Sequence, residues 1–265
     1  MSWYFDPADR PLLAHAEALS ALPWLRHGFA LRGADAPDGF NLSFTTSLDA
    51  EQVRANRQTV CASLGFTPEA LTLPGMPHSA AVLHVGSEER GRGGMERTTV
   101  IRGCDALITD IPDMLLCVTA ADCLSVFLVD PVHRAIGLAH SGWRGTAGRI
   151  VPNTLAAMTS AFGTRPQECL AAIGPGISGA GYEVDASVFH AFSEPPEAGI
   201  FTPARPGHWL LDLTAAVQYQ LLHCGVLLAA LSVSPWRTDC DPALFHSHRL
   251  VPGCPRMGAF LGLTL

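Results

Sequence analysis

A thiol and an imidazole stand at the two ends of one apolar stretch, residues 119–146, TAADCLSVFLVDPVHRAIGLAHSGWRGT. Residues 124–130 and 134–140 are apolar runs of strand length, and the Asp-Pro that opens the intervening Pro131-Val132-His133 favours a turn. Paired antiparallel around that loop, facing residue numbers total about 263 or 264, so Cys123 falls opposite or diagonal to His140. Facing Cβ atoms in such a ladder lie about 4.5–5.5 Å apart, close enough for both side chains to share one metal ion or one proton.

A catalytic zinc needs three protein ligands and one open position. His78 is the best third candidate, at a strand boundary between Pro77 and Ser79, although its spacing matches no compact zinc motif and equally fits a turn histidine. Cys123 reads either as a small buried hydrophobe or as a reactive group beside Asp122. Asp122 itself either orients a ligand or caps a turn. His140 ends a strand and begins the Ser-Gly-Trp-Arg-Gly turn, where reactive groups tend to sit. His246 and His248 would share one face of a strand and form either a metal pair or a polar rim. Arg57 and Arg144 suit phosphate; otherwise Arg57 belongs to a solvated helix face, the preferred reading, and Arg144 anchors a turn. Gly174-Pro175-Gly176 is a tight turn.

Strands are expected at residues 23–32, 105–109, 114–119, 171–173, 226–233 and 257–263 beside the hairpin, and residues 71–85 contain one short strand with His78 just before it and His84 within it. A helix capped by Ser47 or Asp49 runs to about Leu64, with Val53, Val60 and Leu64 inward and Arg54 and Arg57 near the other side. Further helices are expected at 147–162, 184–192 and from an Asp212 cap to His223, where Gly225 ends the element. Residues 86–98 are polar and Gly-rich, a mobile surface loop. Neither repeats nor linkers interrupt the chain, so one mixed α/β domain over residues 1–265 is expected.

With 265 residues, 48% of them hydrophobic and 15% charged, the chain can bury a large core. All 17 of its basic residues are arginines against a net charge of -7, so a nucleic-acid surface is not expected. The start lacks a basic region followed by an apolar one, and no 18-residue apolar run occurs; neither membrane insertion nor export is expected, and the cytoplasm is the anticipated location. Eight irregularly spaced cysteines suggest reduced, mostly buried thiols.

The blocks Gly39-Phe40-Asn41-Leu42-Ser43, Asn56-Arg57, Ala121-Asp122-Cys123, His140-Ser141-Gly142-Trp143-Arg144-Gly145, Ile173-Gly174-Pro175, Tyr182-Glu183-Val184 and Ser247-His248-Arg249 resemble the YfiH-like family, also called the laccase-domain or polyphenol-oxidase family. They run in the family order from about residue 25 to the C-terminus. The resemblance implies a mixed-sheet αββα sandwich and a zinc held by His78, Cys123 and His140. Met76-Pro77 stands where the family usually carries Gln-Val, so the ligand is implied but the glutamine's substrate contacts are not. Also implied is phosphorolysis of adenosine, inosine, guanosine or S-methyl-5'-thioadenosine to a base and a ribose 1-phosphate, with hydrolytic deamination of adenosine. Cys123, His140 and Asp122 are the candidate catalytic residues, Asp122 and Glu183 the candidates for the proton transfers, and Asn41, Arg57, Arg144 and Tyr182 the candidate contacts to substrate.

Zinc chemistry suits deamination, because a bound water of pKa about 7 supplies hydroxide for attack on adenine C6. Two other functions remain open. A copper polyphenol oxidase follows the family's older name, yet several copper ions need several histidine clusters, and 11 scattered histidines include one His-x-His pair. A peptidoglycan editing factor acting on muramyl peptides would use Cys123 as nucleophile and His140 as base. Oligomeric state is not legible.

Overall fold

Apolar runs with no polar alternation require strands covered on both faces, and the architecture supplies that cover twice over. The computed structural model describes residues 2–33, 36, 38–195 and 198–264. One six-stranded sheet runs, in spatial order, Trp3–Tyr4, Leu13–Ala16, Leu25–Ala30, Met257–Leu263, Leu115–Ala120 and Leu71–Thr72. A second runs Leu231–Val233, Leu170–Ile173, Leu124–Asp130, Ala135–Ser141, Ala106–Thr109 and Val82–His84. Pairing is antiparallel within each, except at three edge positions where short strands join in parallel: Leu71–Thr72, Leu231–Val233 and Val82–His84. A small third sheet joins Glu183–Asp185, His208–Leu211 and Phe201–Pro203.

Side chains alternate between the sheets and their outer covers. Phe29, Leu116, Val118 and Leu261 of the first sheet meet Phe127, Val129, Ile136 and Leu138 of the second in one buried cluster. Leu115, Cys117 and Phe260 point the other way, onto Val60, Cys61 and Leu64 of the helix Ala50–Ser63 and its end. Val126, Leu128 and Ala139 face Val151, Leu155 and Met158 of the helix Ile150–Phe162, and Val217 and Leu221 of the helix Leu213–His223. The order helix, sheet, sheet, helix is therefore the αββα sandwich, a mixed α/β single domain.

Local chemistry sets most boundaries. The Asp49 carboxylate accepts from the backbone N–H groups of Glu51 and Gln52 and starts its helix; Asp212 does the same through Ala215. Past the end of the second, Gly225 adopts φ +98, a conformation a side chain would resist. All eight cysteines are free thiols, five of them buried. Among the described residues no helix is long and apolar enough to cross a membrane.

Several elements differ from expectation. The 147–162 segment breaks at Arg149, a left-handed residue at φ 67 that separates the short helix Trp143–Ala147 from Ile150–Phe162. Expected as helix, 184–192 begins with the strand Glu183–Asp185, because the Asp185 carboxylate caps the backbone of Ser187 and Val188 and delays the helix to Ala186–Phe189. Of 226–233 only Leu231–Val233 is strand, after a 3-10 turn at Leu228–Ala230. The 86–98 loop is tied down: Arg57 donates to the carbonyls of Gly93 and Gly94, and Arg54 to that of Met95 and to Glu96. Arg57 is not on a solvated face. It lies on the inward stripe with Val53 and Val60, spends its remaining donors on the Leu42 carbonyl, and contacts the Phe44 ring.

Candidate metal centre

The hairpin pairs one step off the anticipated register: Ser125, rather than a residue before the strand, faces His140, and Leu124 faces Ser141. Cys123 thus lies one pair beyond, diagonal to His140 on the same side of the ladder. Its neighbour across the gap is Gly142, where an added Cβ would sit 2.8 Å from Cys123 Sγ and 3.3 Å from His78 Cδ2. Glycine is what lets the three side chains converge. His78 enters from the loop before Val82–His84, and one ligand atom from each of His78, Cys123 and His140 lies within 4.8 Å of the others.

One carboxylate builds two corners of this triangle. Asp105, fully buried just before the strand Ala106–Thr109, accepts the Nδ1–H of His140 at 2.9 Å, the backbone N–H groups of His78 at 3.0 Å and Ser79 at 2.6 Å, and the Ser79 hydroxyl at 2.8 Å. With Nδ1 so committed, Nε2 of neutral His140 is an unprotonated donor turned toward the cluster. Met76, His78 and Asp122 hold φ values of 51, 65 and 89, backbone that residues with side chains rarely adopt and that collects at functional sites.

Charge within the cluster is coupled. Burial alone would raise the Cys123 thiol, but His140 and His78 hold it down at about 6. Burial would lower His140, yet the Cys123 thiolate and Asp105 lift it to about 9. Asp105 stays below the usual carboxylate range: burial opposes this, and the His140 and Ser79 hydrogen bonds outweigh it. Without metal the site is a thiolate–imidazolium pair. A thiolate and two imidazoles within 4.8 Å, one imidazole locked in the right tautomer, fit a tetrahedral ion with its fourth position open.

Two adjoining cavities, of about 290 and about 300 Å³, share His78, Ala121, Cys123 and His248. Trp143, Arg144, Tyr182 and Arg249 line the first; Ser43, Thr45, His140 and Arg256 line the second. A larger cavity of about 450 Å³ among Phe189, Phe192, Phe201 and Trp209 is lined by none of the three cluster residues.

Asp122, Arg144 and Tyr182 are brought to the cluster, but Asn41 and Arg57 are not. Asn41 is buried, its Oδ1 accepting from the backbone of Ser43 and Arg256, so it shapes the loop that carries Ser43 and Thr45. Arg57 is held by carbonyls, and burial pulls its pKa down to about 10, which leaves it charged. Asp122 accepts from the Thr238 hydroxyl at 2.6 Å and the Arg249 backbone N–H at 2.7 Å, tying two loops to the residue before Cys123. Glu183 faces outward to Arg205 at 2.8 Å. His246 and His248 lie in a loop rather than a strand and do not pair as metal ligands: His246 Nε2 meets the Gly39 carbonyl, while His248 accepts from the Gly253 N–H and lines both cavities. Met76, in place of the family's glutamine, offers its sulfur to the Thr119 N–H. Unanticipated residues are Asp105, whose sequence position looks like a strand start, and Arg249, present in a matched block without a role.

A helix–sheet–sheet–helix protein with a Cys-His-His cluster at a cleft is the class this fold and site define. The chain belongs to the family described as multi-copper polyphenol oxidoreductase laccase, whose model matches residues 26–264. It is 34% identical over 241 residues to a protein of Geobacillus stearothermophilus named purine nucleoside phosphorylase YlmD, covering 89% of this chain and 87% of that one. A protein named adenosine deaminase RL5, from an unknown prokaryotic organism, is 31% identical over 221 residues, covering 82% and 84%. Among solved structures, Bacillus licheniformis YfiH superposes with a TM-score of 0.92 at 27% identity over 98% of this chain and 99% of its own. The Geobacillus stearothermophilus YlmD structure gives 0.91 at 31%, with the same coverage.

Proposed function

We propose that this protein is a zinc-dependent purine nucleoside phosphorylase, cleaving adenosine, inosine, guanosine and S-methyl-5'-thioadenosine, and that it also deaminates adenosine. The observation that carries this is the His78, Cys123, His140 cluster, whose His78 and Cys123 lie in the wall shared by two cavities while His140 lines one of them. Relatives named purine nucleoside phosphorylase and adenosine deaminase support it.

His78, Cys123 and His140 would hold the ion. Zinc there would supply a Lewis acid and a bound water of pKa about 7. Asp105 fixes the His140 tautomer and the His78 backbone. The Tyr182 phenol stays protonated, its pKa pushed up to about 12 by burial and then by the Cys123 thiolate, so it can donate a hydrogen bond to substrate. Asp122, with both oxygens engaged, acts as a positioning group that sets Arg249 relative to Cys123.

Zinc-loaded protein should convert adenosine to adenine and ribose 1-phosphate with phosphate, and to inosine without it. Absence of both refutes the proposal. Copper polyphenol oxidase chemistry is disfavoured because, among the described residues, one group of three metal donors stands in place of several; several coppers per chain with oxygen uptake on a phenol would reverse this. A thiol enzyme acting on muramyl peptides draws support from the depressed Cys123 thiol beside His140. Chelation separates the two: a thiol enzyme keeps its activity and the zinc enzyme loses it.

A further inference from the structure

Three arginines lie around the paired cavities, and their donors are in different states. Arg256 lines the hydroxyl-bearing cavity with its guanidinium engaged by the Cys254 carbonyl, the Cys254 sulfur and His248. Arg144, in the other cavity, donates no hydrogen bond to the described chain and rests 4.2 Å from the Trp143 ring centroid. Arg249 lies 4.9 Å from the Tyr182 ring centroid and makes one long bond, 3.2 Å, to the Glu183 carbonyl.

No carboxylate neutralises this pair. Asp122 lines the same cavity, but its oxygens are taken by Thr238 and by the Arg249 backbone; Glu183 is turned away to Arg205. The Tyr182 hydroxyl, kept protonated, also lacks a partner in the described chain. Two planar guanidinium forks and a phenol therefore present a surplus of donors to one cavity of about 290 Å³, the condition under which arginine takes a tetrahedral oxyanion. The neighbouring cavity offers hydroxyls that donate and accept, Ser43 and Thr45 being 2.8 Å apart, together with the Met76 thioether.

Resting on the proposed function, we infer that Arg144 and Arg249 form the phosphate subsite and that the nucleoside enters the Ser43 and Thr45 cavity, the two meeting at the wall containing Cys123. A phosphate oxygen then forms a bond to C1′ as the C1′–N bond breaks. The base departs with that electron pair and takes up the proton the hydrogen phosphate gives up. Asp122 gains a purpose: its bond to the Arg249 N–H sets the phosphate subsite relative to Cys123.

Calorimetric titration of inorganic phosphate into the metal-loaded protein, without nucleoside, tests the subsite apart from catalysis. R144Q and R249Q should each weaken phosphate binding by about tenfold or more and raise the KM for phosphate alike, with the KM for inosine within about twofold. R165Q, an exposed guanidinium paired with Glu168 and lining neither cavity, should change neither. Arg144 and Arg249 are exposed, and thermal melts check that both variants stay folded. Unchanged phosphate affinity in both variants, or its loss in R256Q instead, overturns the inference. Phosphate binding through both arginines without cleavage of any purine nucleoside refutes the proposed function and keeps the anion subsite. Cleavage with a phosphate KM that neither variant moves refutes the subsite and keeps the function.

Discussion

Replacing Gly142 by alanine is the sharpest test of how the cluster is built. The residue holds φ -82 and ψ 174, extended backbone that alanine adopts without strain, so the whole effect is steric. The new methyl would stand 2.8 Å from Cys123 Sγ and 3.3 Å from His78 Cδ2. An ordinary carbon–sulfur contact needs about 3.7 Å, so the sulfur must retreat by about 0.9 Å. Metal–ligand distances tolerate about 0.2 Å, so the thiolate leaves coordination and one ligand of three is lost. Competition against a chromophoric chelator should show G142A binding zinc at least about 100-fold more weakly, while overpacking costs the metal-free fold about 1–3 kcal/mol. C123A should abolish zinc binding with the fold intact. The double variant should regain the thermal stability lost in G142A, because the clashing sulfur is gone, and still bind no zinc. Wild-type zinc affinity in G142A would refute the packing argument.

D105N should weaken zinc binding about 10- to 100-fold, since an amide can present its N–H₂ to His140 Nδ1 and release the tautomer; competition titration reads it. R57M should lower the denaturation midpoint by the equivalent of about 3 kcal/mol or more, because carbonyls of Leu42, Gly93 and Gly94 lose a buried donor. His27 is held down at about 3 by burial and then by His15, while in the unfolded chain it titrates near its ordinary 6.5. The unfolded state therefore binds the extra proton between those values, and stability falls as pH drops through that window. His27 should contribute about 2 kcal/mol of loss between pH 6.5 and pH 5, and denaturant titrations of H27Q should lack it.

The hairpin and the Met257–Leu263 strand were legible because buried strands leave uninterrupted apolar runs, and the Asp49 and Asp212 caps because a carboxylate before a helical pattern has one common use. Two-residue edge strands such as Trp3–Tyr4 leave no periodicity to detect. Cys123 and His140 could be placed together because a turn joins their strands. His78 could not, since it arrives through a parallel edge whose pairing no local pattern announces. Arg57 misleads for a different reason: its helical phase matches Val53 and Val60, but a charge at that phase is ordinarily read as facing water. Asp105 carries no signal, because its partners lie 26 to 35 residues away.

That same carboxylate gives the cluster a kinetic character. Asp105 joins the His78–Ser79 loop to the start of Ala106–Thr109 and to His140, while Val82–His84 is held by one parallel pairing at the rim of its sheet. Opening that rim together with the Asp105 bonds to His78 and Ser79 would free the exposed imidazole without disturbing the central strands that carry the thiol and the buried one. For an ion held there, release should follow opening of this clasp together with the sheet margin, so ion loss and amide exchange at residues 82–84 should rise together under destabilising conditions.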